Sequence, residues 1–218
     1  MDFSGEHNEV IVGSCCAGSV RYYALLLASG NVWVDDNEHK LPLRHSHHRY
    51  RILGPNGIQT LTVPLVSSTN AMSVSMRDVE ISNHGKWRHL HWGALYSSYG
   101  KTPYFDYIAP DLERLIVKGD QRFLLDFNME LDALIVEFAD LAIHTHLLGV
   151  NKPLNAKDFR GRIAGKRPDN LPIANVQYSQ LWADRYGFTP DLSILDLVMN
   201  CGRESVFTLM EMTREKGE

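Results

Sequence analysis

The sequence predicts an α/β fold: a small mixed, mainly parallel sheet flanked by helices, with a helical C-terminal half. Three observations carry that expectation. Two short β-branched runs, at 9–13 and 32–34, are separated by one helix-forming stretch, which is the spacing of a βαβ crossover. A Gly-Pro-Asn-Gly turn at 54–57 stands between two strand-like runs. From residue 86 onward, apolar residues recur at helical spacing.

Each element follows from its local pattern. Glu9-Val-Ile-Val-Gly13 is short and β-branched, as a buried strand requires, and Ser19 to Ala28 is helix-forming and is stopped at Ser29-Gly30. Val32-Trp33-Val34 reads as a second strand ending in Asp35-Asp36. Tyr50 to Leu53 and Ile58 to Val63 form a hairpin, and Asp78 to Ser82 supplies a further strand. Trp87, Leu90, His91, Ala94, Leu95 and Ser98 share one helical face, closed by Gly100 and Pro103. Phe127, Leu131, Leu134, Ile135, Phe138, Leu141 and Ala142 form a second stripe, with Asp126 as its expected N-cap. Ser193-Ile-Leu-Asp196 has capping-box spacing ahead of Leu197, Val198 and Cys201, and a last helix spans Ser205 to Thr213. One domain is expected over 1–218: strand-rich over 9–82, helical over 86–148, a surface loop over 151–173 and C-terminal helices over 176–213.

Composition narrows the classes of function. With 44% hydrophobic and 22% charged residues the chain can bury a core, and a formal net charge of −4 provides no basic field for nucleic acid. No apolar run approaches the roughly 18–20 residues that span a bilayer, so no membrane insertion is expected. Met1 to Asn8 lacks the cationic and apolar regions of a signal peptide. Cys15, Cys16 and Cys201 make no disulfide framework and suit a reducing compartment. A cytoplasmic location is expected.

Three stretches could carry chemistry. Residues 39–51 hold four His, Lys40 and three Arg without an acid, and the next acidic residue after Glu38 is Asp78. Such an island suits an anion: Arg49 and Arg51 alternate along an extended segment, and their guanidinium forks match phosphate or carboxylate. A solvated basic loop accounts for the same residues. In the second stretch, Trp87 to Trp92, His89 and His91 cannot share a helix face, so His91 belongs to the core while Arg88 and Tyr99 could border a pocket. In the third, Cys16 precedes a helix whose macrodipole would favour a thiolate, although small residues at a tight turn explain the run equally simply. Gly161 to Arg167 is one residue short of a phosphate loop. The histidines lack His-Glu-x-x-His spacing and a Cys pair, so no metal ligands are assigned, and no cofactor is identified. Asp35 and Asp36 lie where α/β sheets bind ligands, at a strand end.

Several motifs in order carry a resemblance. Arg49 to Ile52, Gly54 to Gly57, Leu61 to Pro64, Asp78 to Ile81, Trp87 to Trp92, Tyr99 to Phe105, Leu125 to Asn128, and Asp191 to Asp196 with Asn200 to Gly202 together resemble the WbqC-like protein family. The likeness extends over nearly the whole chain. It is closest to the short branch found in Bacteroidetes, whose Phe-x-Pro-Asp-Leu-Ser-Ile-x-Asp-Leu pattern is here Phe188 to Leu197. The resemblance implies a cytoplasmic protein of O-antigen or related surface-polysaccharide biosynthesis. Where many members carry His-Gln-Pro after the first strand this chain has Val12-Gly13-Ser14, and their Arg-Asn-Arg becomes His47-His48-Arg49. No catalytic residue is carried over.

The expectation is therefore a group-transfer enzyme acting on a small anionic substrate, a nucleotide-linked sugar. Arg49, Arg51 and His47 would hold it, with Arg88 and Tyr99 at the border, while His48, Asp35 or Asp36 moves the proton. Two alternatives stand beside it. One is a metal-dependent hydrolase using the histidines of 45–48. The other is a non-catalytic scaffold of a glycan-assembly complex with an exposed aromatic patch from Tyr99, Tyr104, Phe105 and Tyr107.

Overall fold

A computed structural model of the chain describes residues 9–37, 45–66, 74–149, 153–160 and 173–214. Strand β1 (Glu9–Gly13) runs into helix α1 (Val20–Ser29) and returns as β2 (Asn31–Asp35). Val10, Ile11 and Val12 are all essentially buried, so both faces of β1 are covered, as expected for an inner strand of a parallel sheet. Ser19 caps α1 by accepting from the Tyr22 amide at 3.3 Å. Gly30 closes it at φ 73°, its N–H donating to the Leu26 carbonyl.

The sheet has four strands in the order β5-β2-β1-β6, all parallel, where β5 is His144–Leu147 and β6 is Lys157–Asp158. Both outer strands fall in stretches expected to be helix and loop. Neither has an alternating apolar pattern. They are held by main-chain hydrogen bonds, with His144 donating to Gly30 at 2.7 Å, Leu148 to Val34 at 2.8 Å and Phe159 to Ile11 at 2.8 Å. Of the expected loop 151–173, only 153–160 and 173 are described, and Gly161 to Arg167 lies outside the described residues.

The one-turn helix α2 (His45–His48) leads into the hairpin of β3 (Arg49–Gly54) and β4 (Gly57–Thr62), antiparallel with Gly54 opposite Gly57. The strand expected at 78–82 is instead a 3₁₀ turn (Met76–Asp78) followed by two single bridges, Leu65 to Ile81 and Glu80 to Phe123. Helices α3 (Trp87–Tyr99), α4 (Phe105–Val117) and α5 (Leu124–Phe138) follow. Helix α5 begins two residues before Asp126, which lies in the first turn rather than at the cap, where the macrodipole still favours its charge. Helices α6 (Ala183–Tyr186), α7 (Ile194–Cys201) and α8 (Ser205–Thr213) dominate the C-terminal third. No described helix is long and apolar enough to cross a membrane.

His91 pins the hairpin to α3. It is 4% exposed, and its Nε2–H donates to the Thr62 carbonyl at 3.1 Å. Because a carbonyl only accepts, Nδ1 is the acceptor of the Tyr50 hydroxyl, also at 3.1 Å. Burial pushes the ring's pKa down to about 4. The unfolded chain then binds a proton near pH 6.5 that the fold refuses until about pH 4, so stability present above 6.5 is lost as pH falls through this window. The cost is about 3 kcal/mol. His91→Gln, which can keep both hydrogen bonds, is expected to flatten the fall in melting temperature between pH 6.5 and 4. An acid limb as steep as that of the parent would show that His91 does not set it.

Candidate functional site

The C-terminal ends of the parallel strands gather the polar residues. Register places Gly13 beside Asp35, so Ser14 and Asp36 emerge together at one edge. Both aspartates are almost fully buried, and each has a guanidinium partner. Asp35 meets Nη1 of Arg160 at 2.5 Å, and Arg160 also grips Asp158 of β6 through Nε at 3.0 Å and Nη2 at 2.5 Å. This arginine ties the ends of β2 and β6, and the carboxylates of Asp158 and Asp35 drive its already high pKa further up. Asp36 forms a short ion pair with Nη2 of Arg77 and accepts from the Gly149 amide, just past β5, at 3.0 Å. Its carbonyl receives the Ser75 hydroxyl at 2.9 Å and the Arg77 amide at 3.0 Å. Both carboxylates therefore clamp neighbouring segments.

Helix α2 docks on the loop that leaves β1. Cys16 N–H donates to the Ser46 carbonyl at 2.9 Å, and His47, 2% exposed, donates from Nδ1 to the Ser14 carbonyl at 2.5 Å. A carbonyl only accepts, so Nδ1 carries the proton in that bond and the ring is held in one orientation. Asn128 of α5 completes the junction, its amide reaching Ser14 Oγ at 2.8 Å and the His47 carbonyl at 2.9 Å. Its Oδ1 is buried without a hydrogen-bond partner among the described residues. Asn128 lines a void of ≈ 10 Å³ with Ser14, Cys15, Asp132 and Thr145, about the size of one water. Asp132 accepts from the Tyr23 hydroxyl at 2.6 Å, and burial pushes its carboxyl up.

The structure thus brings Asp35, Asp36 and His47 to one edge, with His48 and Arg49 following directly in the chain, both half-buried. The other expected residues are engaged elsewhere. Arg51 donates to the Asp191 carbonyl at 2.8 Å, bracing the turn before α7. Arg88 lies 4.6 Å over the Trp87 ring and donates to the Ile116 carbonyl at 3.0 Å. Tyr99 is fully buried, its hydroxyl accepting from the Leu53 amide at 3.3 Å. Tyr99 and Phe105 are core residues, so the aromatic patch expected of a scaffold does not form from the four named. Lys40 and Arg44 of the basic island lie outside the described residues. Cys16 is buried and its thiol is pushed up by desolvation, opposite to what the helix dipole alone would do.

Arg77, Arg160 and Asn128 were not singled out from sequence. Asn128 sits within the Leu125 to Asn128 run that carries the resemblance, whereas the two arginines have no local signal. Among the described residues no group of three or more His, Cys, Asp or Glu is placed to hold a metal ion.

The family model of the WbqC-like protein family matches residues 20–160. No curated protein and no solved structure matches the chain.

Proposed function

The chain belongs to the WbqC-like protein family, a group of poorly characterised proteins linked to polysaccharide biosynthesis, and from that premise we propose that it is a cytoplasmic group-transfer enzyme acting on a nucleotide-linked sugar or related anionic intermediate. The observation that carries this reading is the pair of guanidiniums at the strand ends, held by buried aspartates yet partly open to solvent. The Arg77 side chain is 47% exposed and that of Arg160 is 32% exposed. Among the described residues Arg77 bonds Asp36 through Nη2 alone, which leaves Nε and Nη1 for a phosphate oxygen.

Arg49 and Arg77 hold the anion; Asp36 fixes the guanidinium of Arg77, and Asp35 fixes that of Arg160. A proton carrier is still needed, since both aspartates are committed to arginine. His48 takes that role, set in place by its neighbour His47 on the Ser14 carbonyl. Stabilisation of the leaving phosphate by preorganised cations is the main contribution asked of the site.

Thermal unfolding tests the reading. In the presence of uridine, guanosine or thymidine diphosphate sugars at about a hundred times Kd, the chain gains about 2.7 kcal/mol, or about 5–10 °C. Arg49→Ala with Arg77→Gln is expected to remove that gain. A panel of nucleotide sugars that leaves the melting temperature unmoved would overturn the proposal.

A further inference from the structure

A second concave surface lies between α4, α5 and the 3₁₀ turn Gly202–Glu204, and it shares no lining residue with the strand-end site. It is an open groove of ≈ 810 Å³, within the range of small-molecule sites. Ile108, Leu134 and Phe138 form its apolar floor. Two tyrosines stand over it, Tyr104 and Tyr107, with ring centroids 6.4 Å apart and planes inclined at 46°.

Tyr104 is held in place by backbone. Its amide donates to the Met199 carbonyl at 3.2 Å, and its ring lies against Gly202, where a Cβ would stand 2.5 Å away. Gly202 also has φ 56°, so a side chain there is excluded on both counts. Tyr107, by contrast, presents its ring to solvent at 73% exposure.

The walls select the occupant. Asp111, Glu137 and Glu204 line the groove together with Arg114 and Arg203, and Asp111 pairs with Arg114 at 2.9 Å along α4, so the lining carries both signs of charge. An anion or a cation would meet its like charge. An apolar helix would strip water from the charged groups without replacing their hydrogen bonds. A hydroxyl both donates to a carboxylate and accepts from a guanidinium, so a polyol satisfies both kinds of lining group at once. Flat aromatic faces beside such groups suit the C–H face of a pyranose ring.

We propose that this groove binds a neutral oligosaccharide, with one sugar ring stacked on Tyr107 and its hydroxyls bonded to the carboxylates and guanidiniums of the lining. That the sugar is the acceptor chain of the transfer rests on the reading above; the binding itself does not. The test is saturation-transfer NMR and calorimetry on the full chain with neutral hexose and N-acetylhexosamine di- and trisaccharides. Saturable binding is expected, weakened about tenfold or more by Tyr107→Ala. The variant should keep its melting temperature and its response to nucleotide sugars. No saturable binding across the panel, equal affinity in the variant, or a Tyr107-dependent dimer instead would each overturn the proposal. An unsubstituted chain that responds to nucleotide sugars but binds no oligosaccharide sinks the groove alone, and one that binds oligosaccharide but does not respond to nucleotide sugars sinks only the transferase reading.

Discussion

Replacing Asp196 by alanine is expected to lower the melting temperature by about 6–12 °C, the equivalent of about 3 kcal/mol for a chain of this size. The carboxylate is 1% exposed in the first turn of α7 and collects donors from a segment with no regular structure. Its Oδ2 accepts the Tyr178 hydroxyl at 2.7 Å and Gln180 Nε2 at 2.8 Å. Gln180 in turn is pinned to Thr189 by its Nε2 on the carbonyl at 2.9 Å and its Oε1 under the amide at 2.8 Å. Removing the carboxylate leaves buried donors short of an acceptor, at about 1–3 kcal/mol each. Tyr178→Phe, which removes one donor, should cost only about 1 kcal/mol, and the double variant should cost less than the sum. A melting temperature for Asp196→Ala within about 2 °C of the parent would show that this network does not hold the segment to the helix.

The second large effect is expected at Arg160. Without its guanidinium, Asp35, 4% exposed, would share the strand ends with Asp158 and no cation between them. A buried charge that loses its partner costs about 3–5 kcal/mol. Arg160 is partly exposed, so water reduces the penalty to about 2–3 kcal/mol, or about 4–12 °C. Adding Asp35→Asn to Arg160→Ala should recover part of the loss, because the uncompensated charge is then gone. If Arg160→Ala melts with the parent, or if the second substitution deepens the loss, the arginine does not bind the two strands together.

Legibility followed the range of each interaction. Helix α1 was readable because Ser19 and Gly30 punctuate it, and the hairpin because Gly54 to Gly57 admits a tight turn. Strands β5 and β6 were not, since His144–Leu147 and Lys157–Asp158 are short edge pieces held by main-chain bonds. Asp196 read as a helix-start residue, and it lies in the first turn. Nothing in its neighbourhood announced that Tyr178 and Gln180 would fold back upon it.

The site divides in the same way. The place of Asp35 and Asp36 at a strand end was legible because the end of a strand in a βαβ unit is a geometric position that local pattern reveals. Their partners were not: Arg77 stands 41 residues from Asp36, and Arg160 stands 125 from Asp35. Arg51 illustrates the converse. Alternation along the strand put it beside Arg49 as an anion holder, but the approach of Asp191, 140 residues on, gave it a bracing contact instead.

By itself the amino-acid order determined the sheet class, the capped helices, the turn and the family, because each is written in periods and punctuation spanning a few residues. Only the folded chain decided which charge meets which, since ion pairs and buried networks depend on distances between segments remote in sequence. Those distances are set by how the layers pack, and a local pattern does not encode them.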